Sequence, residues 1–454
     1  MIRLDFTNVF ADAVKGGVTE EEFYSLESKA SEAVEKIVSQ IERKELGYAN
    51  LVNFDFTEDF ARTVELAEVC SQRFRDLVVV GIGGSALGAR AVDSALMLSS
   101  GSSYGLRERN FYVLDNVDPE FIFSVFESLD LDNTCFNVVT KSGSTAETLS
   151  VFLFVYDLYR KGRIKKEQIV ITTDPEKGFL RKLAEEEGFA SLAVPPEVGG
   201  RFSVLSPVGL FPSAFLGADV KAMIEGAREM HSISYKKEFY ESPSLTFGAL
   251  MYLLRKLRGI SQLVLMPYSS ALYLVADWFR QLWAESLGKK FSVKKEVVYE
   301  GQTPIKALGA TDQHSQIQLY REGPFDKVVV FMRVNSFRKD DIMPPSFETH
   351  LSGKSLGDLL NAEQLATEMA LKKAGRLNMR IELPRIDEKS LGQLFYFFEV
   401  ATVFYAYLAG IDPFNQPGVE EGKRITHAMM GKEGMEDYRG EVARYISSRR
   451  RVLP

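Results

Sequence analysis

Between Leu77 and residue 188, short apolar runs alternate with amphipathic stretches four times, and few architectures accept that pattern. Leu77–Val80 (LVVV) reads as a strand, followed by glycine-rich Gly81–Gly88 and a helical pattern to about Leu98. Asn110–Leu114 is a second strand, with Pro119–Leu129 helical behind it. Phe136–Val139 (FNVV) leads through Lys141–Thr148 into a helix ending near Lys161, and Gln168–Thr172 precedes a helical 176–188. Apolar strands separated by helices predict a parallel sheet covered on both faces. The theme returns with strand Gln262–Met266, turn Pro267–Ser270 and helix Ala271–Leu287. Further strands are expected at Val328–Met332 and Met379–Leu383, separated by a helical 355–374, while residues 20–46 are charged and helix-forming. At 454 residues the chain is too long for one ordinary core. The expectation is α/β, with two similar doubly wound domains and no low-complexity linker.

Composition narrows the function classes. Apolar residues make up 45% and charged residues 26%, ordinary for a soluble globular protein. A net charge of −7 argues against nucleic acid, and an anionic ligand would need a local site. Cys70 and Cys135 have no metal-ligand or redox spacing, and the four histidines form no zinc pattern. Buried free thiols in a reducing compartment, and no metal, are expected. The start, MIRLDFTNVF, lacks the basic and apolar regions of a signal peptide. Leu394–Ile411 is apolar enough to test as a membrane span, but it contains Glu399 and falls short of the ~20 apolar residues required. A buried helix in a cytoplasmic protein with no membrane association is the expectation.

Two strand–loop–helix junctions carry chemistry. In GIGGSALG, Gly81, Gly83, Gly84 and Ser85 sit where free N–H groups and the helix dipole favour an anion. The same glycines also fit a loose dinucleotide fingerprint, with Asp115 at the end of the next strand, so this loop alone leaves both readings open. In TKSGSTAET, Thr140, Ser142, Ser144, Thr145 and Thr148 supply hydroxyls and Lys141 a cation. A capping box from Ser144 to Glu147 would use one hydroxyl. Five within nine residues point instead to a phosphate pocket. No GxxxxGK[ST] occurs, so an ATP-type loop is not indicated.

Further along, EVGGRFSVLSPVG (Glu197–Gly209) delivers Arg201 on a loop stiffened by Pro195 and Pro196, with Gly199 and Gly200 allowing unusual backbone angles. A cation fixed in this way suits an oxygen that becomes negative during reaction; a structural ion pair is the bland alternative. Glu285 continues the helical stripe of Leu274, Trp278 and Leu282 and sits at a helix C-terminus. Both features favour a raised pKa and a general base, whereas pairing with Lys289 or Lys290 would make it a rim carboxylate. His314 and Lys423, read alone, are a hydrogen-bonding loop histidine and a solvated lysine.

The wording of these stretches adds a resemblance. EVGGRFSVLSPVG resembles the first signature of the glucose-6-phosphate isomerase (phosphoglucose isomerase) family, and Asp412–Lys423, DPFNQPGVEEGK, resembles the second. The resemblance runs from roughly residue 50 to 430. It implies two SIS-type αβα sandwich domains, one formed by 55–205 and a larger one by 1–54 with 206–454, with N-terminal and C-terminal helical segments added to the second. It implies a sugar-phosphate site at Gly84, Ser85, Thr140, Lys141, Ser142 and Thr145. The ESxGK wording around Glu285 resembles the family's catalytic-base segment. Thr311–Gln318 resembles its ring-opening histidine region, with Asp312 where many members have asparagine. Lys423, with Gln416 and Glu420, falls in the second signature.

The implied reaction interconverts glucose 6-phosphate and fructose 6-phosphate, in glycolysis and gluconeogenesis, without cofactor or metal. Glu285 would move the proton through a cis-enediol, Arg201 would stabilise its oxyanion, and Gln416 would hold a sugar hydroxyl. His314, assisted by Lys423, would open the ring. The resemblance also implies a homodimer whose histidine comes from the neighbouring subunit, and leaves mannose 6-phosphate open as a further substrate. A nucleotide-linked oxidoreductase and an idle sugar-phosphate sensor are the alternatives. A sensor has no need of Glu285, Arg201, His314 and Lys423 together.

Overall fold

Strands buried on both faces build the centre of the molecule, as the apolar runs require. The computed structural model describes residues 1–96, 109–143, 145–346 and 349–448; Leu98 and Ser144, named above, lie outside the described residues. In chain order the strands are β1 (Arg3–Asp5), β2 (Asp76–Val80), β3 (Phe111–Leu114), β4 (Thr134–Val139), β5 (Ile169–Thr173) and β6 (Ala190–Ala193). There follow β7 (Gln262–Pro267), β8 (Lys289–Phe291), β9 (Val297–Glu300), β10 (Thr303–Lys306), β11 (Lys327–Val334) and β12 (Asn378–Leu383).

The first sheet has the order β3-β2-β4-β5-β6 and is parallel throughout. Every residue of β2, β4 and β5 is buried, as in sheets with helices on both faces. The second sheet has the order β1-β12-β11-β7-β10. Its strands are parallel except β1, which pairs antiparallel with β12 and makes the sheet mixed rather than purely parallel. In each sheet the first parallel strand, β2 or β7, has its successor (β3 or β10) on one side and a later strand (β4 or β11) on the other. Chain connections diverge there, and the crevice beyond the strand ends is where doubly wound folds bind ligands.

Helix Glu388–Ala409 covers most of the passage tested as a membrane span. It is long and apolar enough to cross a bilayer, yet 94% of its apolar window is buried inside the protein. It packs on helices Val220–Ser234 and Pro243–Arg258. Two glycines set the first crossing: a Cβ on Gly392 would lie 1.9 Å from the Met223 carbonyl oxygen, and one on Gly226 2.0 Å from that of Lys389. Cys70 and Cys135 are buried free thiols.

Candidate active site

The loops after β2 and β4 are neighbours because their strands are. After β2 the chain turns at Gly83, whose φ of +60° suits glycine. A single 3-10 turn, Gly83–Ser85, then feeds helix Leu87–Leu96. After β4 a similar turn at Gly143 (φ +64°) leads to helix Ala146–Arg160. There, three hydroxyls form a triangle: Thr140 Oγ1 is 2.9 Å from Thr145 Oγ1 and 3.4 Å from Ser142 Oγ, and Ser142 lies 3.3 Å from Thr145. Thr148, also read as a pocket hydroxyl, is instead buried in the first turn of the helix, outside this triangle.

Lys141 has partners that the sequence does not reveal. Its Nζ donates to the carbonyls of Pro196 and, at 3.0 Å, Val198, so the cation ties two loops together. Asp115, the residue that kept the dinucleotide reading open, is held by Arg90 NH1 at 2.6 Å.

Gly199 and Gly200 also act differently from expectation. Gly199 has an ordinary extended conformation (φ −71°, ψ 152°), and Gly200 is not among the positive-φ residues. What matters is proximity: a Cβ on Gly84 would meet the Gly200 carbonyl at 2.2 Å and the Arg201 nitrogen at 2.7 Å. The phosphate-type loop is thus pressed against the turn that carries Arg201. Gly84→Ala is expected to cost about 1–3 kcal/mol of stability, through backbone displacement. Urea denaturation would read that cost, with an accompanying rise in KM from the displaced loop.

Arg201 is 5% exposed and saturated with partners. Its Nε donates to Ser286 Oγ at 2.7 Å, NH1 to Gln416 Oε1 at 3.1 Å, and NH2 to the carbonyls of Pro413 and, at 3.2 Å, Asn415. NH1 also lies 3.3 Å from Glu285 Oε2. The guanidinium sits 5.7 Å from the Phe202 ring, itself packed between Tyr48 and Phe414. Glu285 emerges from the end of its apolar stripe with a side-chain exposure of 27%, and Gln281, one turn earlier, donates to it at 3.2 Å. A Cβ on Gly83 would meet that same Gln281 amide at 2.9 Å, so Gln281 bridges the β2 loop and the carboxylate. Gln281 and Ser286 were not singled out in the sequence; counting one turn back from Glu285 would have found the first.

Lys289 does not pair with the Glu285 carboxylate. It turns inward, at 5% exposure, and its Nζ donates to the backbone carbonyls of Glu285 (2.6 Å) and Asn415 (2.8 Å). Burial, with the Arg201 charge adding to it, brings its pKa from 10.5 down to about 8. The unfolded chain therefore binds more protons than the native one above that value, and stability rises with pH through this window. Relative to Lys289→Gln, the native chain is expected to gain on the order of 1–2 kcal/mol between about pH 7.5 and about pH 9.5. Urea titrations of both proteins at the two pH values would show it.

The remaining candidates are not brought to this cluster. His314 is exposed on the turn Thr311–His314 that follows β10, and its side chain makes no hydrogen bond among the described residues. Asp312 braces that turn, its carboxylate accepting from the Leu308 N–H at 2.7 Å and from the Ser315 hydroxyl. Lys423, 57% exposed on helix Glu420–Met429, pairs with Glu420 at 2.9 Å. Gln416 alone of the second-signature residues named above reaches Arg201 through its side chain.

Two doubly wound sheets, with a buried arginine beside a partly exposed carboxylate where the first sheet's loops meet a helix of the second, define an α/β enzyme. The chain belongs to the phosphoglucose isomerase family, whose model matches residues 53–448. It is 42% identical to the glucose-6-phosphate isomerase of Carboxydothermus hydrogenoformans, over 100% of this chain and 99% of that one. It is 40% identical to that of Rubrobacter xylanophilus, covering 95% and 99%. A crystal structure of a Thermus thermophilus protein described as hypothetical superposes with a TM-score of 0.84 at 36% identity, covering 95% of this chain and 100% of that one. A glucose-6-phosphate isomerase from Chlamydia trachomatis shares the fold at a TM-score of 0.76 and 23% identity, covering 88% and 78%.

Proposed function

We propose that this protein interconverts glucose 6-phosphate and fructose 6-phosphate, the reaction named for its relatives, within glycolysis and gluconeogenesis. The supporting observation is the 3.3 Å contact of Arg201 with Glu285, set beside the loops of the first switch point. The Thr140, Ser142 and Thr145 hydroxyls, with Ser85 and the Gly84 backbone, hold the phosphate; Lys141 contributes by fixing the loop. Phosphate binding energy then orients the sugar's reacting carbons. Glu285 takes the C2 proton of the open-chain aldose while C1 and C2 become an enediolate. The C1 oxygen carries the developing charge toward Arg201 and gains a proton, the C2 hydroxyl gives one up, and Glu285 returns its proton to C1. Gln281 and Gln416 position sugar hydroxyls. His314 moves the ring-opening proton, assisted by Lys423.

Among the described residues His314 shares no hydrogen bond or ion pair with Glu285, which favours a homodimer in which each site borrows the partner's histidine. The domains are 55–205 and 1–54 with 206–454, in a soluble, cytoplasmic protein. Conversion of fructose 6-phosphate to glucose 6-phosphate by purified protein in EDTA tests the reaction. Absence of turnover in protein that binds the phosphosugar would replace isomerase with sensor. Shared sites predict complementation. His314→Ala and Glu285→Gln homodimers are each inactive, yet subunit exchange between them in equal amounts restores about a quarter of wild-type activity, because half the dimers then hold one intact site. No recovery after verified exchange would place both residues in one chain's site.

A further inference from the structure

The second sheet repeats the order of the first: β10-β7-β11-β12 stands to it as β3-β2-β4-β5 stands to the other. Its switch point therefore lies between β7 and β11. The β7 junction also repeats the β2 junction locally. Strand β2 is followed by the 3-10 turn Gly83–Ser85 and a helix from Leu87; strand β7 is followed by the 3-10 turn Ser270–Leu272 and a helix from Tyr273. Ser85-Ala86-Leu87 in the one is Ser270-Ala271-Leu272 in the other.

At this second switch point lies a cavity of about 420 Å³, walled by the two loops that leave β7 and β11. Ser269 and Ser270 border it from the first loop, and Ser336 and Arg338 from the second. Ser270 and Ser336 are exposed and Ser269 is 7% exposed; none of the three hydroxyls has a hydrogen-bond partner among the described residues. Ser269 thus brings an unpartnered hydroxyl to the cavity wall from an otherwise buried residue. Neither the 3-10 turn nor the helix behind it carries a side-chain cap, which leaves their N-terminal dipole to act on whatever enters the cavity.

Arg338 adds a fixed positive charge. Its NH1 and NH2 donate to the carbonyls of Leu96 (2.8 Å) and Ala95 (2.7 Å), at the end of helix Leu87–Leu96, and its Nε makes no hydrogen bond among the described residues. Asp340 and Asp341 also border the space, but each already has a positive or donor partner. Asp340 accepts from Ser355 Oγ and the Gly357 N–H, both at 2.8 Å, and Asp341 pairs with Lys339 at 3.2 Å.

We propose that this crevice is a second anion site, in which the Ser269, Ser270 and Ser336 hydroxyls and Arg338 hold a phosphate group, free or on a small phosphorylated metabolite. It stands apart from the Arg201–Glu285 cluster, because it occupies the other sheet's switch point. It also stands independently of the isomerase reading, because it rests on the fold, the cavity and the unpartnered serines.

The test is binding stoichiometry by calorimetry, with two probes: inorganic phosphate, and sorbitol 6-phosphate, which has no carbonyl to isomerise. The proteins are wild type, Ser270→Asp, Ser269→Val and, to disable the first-sheet loop, Thr145→Glu. The wild type is expected to bind about two phosphates per chain, and each of the three variants about one. Ser270→Asp and Ser269→Val keep kcat at saturating substrate within about twofold of wild type, while Thr145→Glu loses activity. If sorbitol 6-phosphate also fills both sites, the ligand is phosphosugar; if it fills only the first, the ligand is free phosphate. One phosphate per chain in wild type, retained in both folded serine variants, would overturn the proposal. Failure of Thr145→Glu to remove a phosphate would count against the first-sheet site instead.

Discussion

Glu285→Gln lowers kcat about 10³-fold, within the range a positioned general base supplies, and leaves KM for fructose 6-phosphate within a few-fold. The substitution is close to isosteric. The glutamine carbonyl oxygen still accepts from Gln281, and the helix Tyr273–Leu287 keeps its packing because Leu282 and Trp278 are buried independently of it. What disappears is a basic oxygen beside the guanidinium. Two further readouts separate loss of the base from loss of binding. Sorbitol 6-phosphate is expected to bind the variant as it binds wild type, and the exchange of substrate C2 hydrogen with deuterated water to fall with kcat, because in the proposed mechanism one carboxylate both removes and returns that proton. Glu285→Asp retains a carboxylate one methylene short of the substrate and falls between the two. Turnover of Glu285→Gln within about tenfold of wild type would put the base elsewhere.

Parts of this architecture are legible in the chain because they follow from solvent exclusion. The runs LVVV and FNVV are apolar at successive positions, which a strand with one wet face does not need. Strand β10 is not legible: TPIK is short and carries Pro304 and Lys306, and only its place at the sheet edge beside β7 makes it a strand. Strand β1 is similarly silent, since its partner β12 lies more than 370 residues away. Helix Glu388–Ala409 shows the limit of composition, since the same apolar residues suit a bilayer or a protein interior. What decides it is the glycine crossing with Val220–Ser234. At the site, Arg201 and Glu285 announce themselves through the wording around them. Pro413 and Asn415 do not, because they act through backbone carbonyls, a contribution that carries no residue signature. The bonds from Lys141 to the Pro196 and Val198 carbonyls are not legible either, because the sequence shows a cation in a phosphate-type loop but not the direction in which its long side chain runs.

Arg201→Ala is expected to lower kcat about 10²–10³-fold, as removal of a preorganised oxyanion donor does, and to cost about 2–4 kcal/mol of stability. The stability loss follows from the partners left behind. Ser286 Oγ is buried, and the Pro413 and Asn415 carbonyls lose their donors. The two effects are separable, because kcat can be measured at a temperature where the variant is fully folded by circular dichroism. Arg201→Lys keeps a charge, but an ammonium cannot reproduce the fork that holds Ser286, Gln416 and two carbonyls from one plane. It is therefore expected to recover part of the stability and little of the rate. The proposed mechanism makes the arginine more than a brace. NH1 divides its contacts between Gln416 at 3.1 Å and Glu285 at 3.3 Å, both side chains on the cleft, whereas Nε and NH2 face fixed partners. An enediolate oxygen can take over from Gln416 at NH1 without disturbing the other bonds, so the charge is already in place when the oxyanion forms. Added guanidinium is accordingly expected to restore turnover to Arg201→Ala in a saturable way. A KM rise with kcat spared would reduce Arg201 to a binding group, because a donor that acts only on the transition state must appear in kcat.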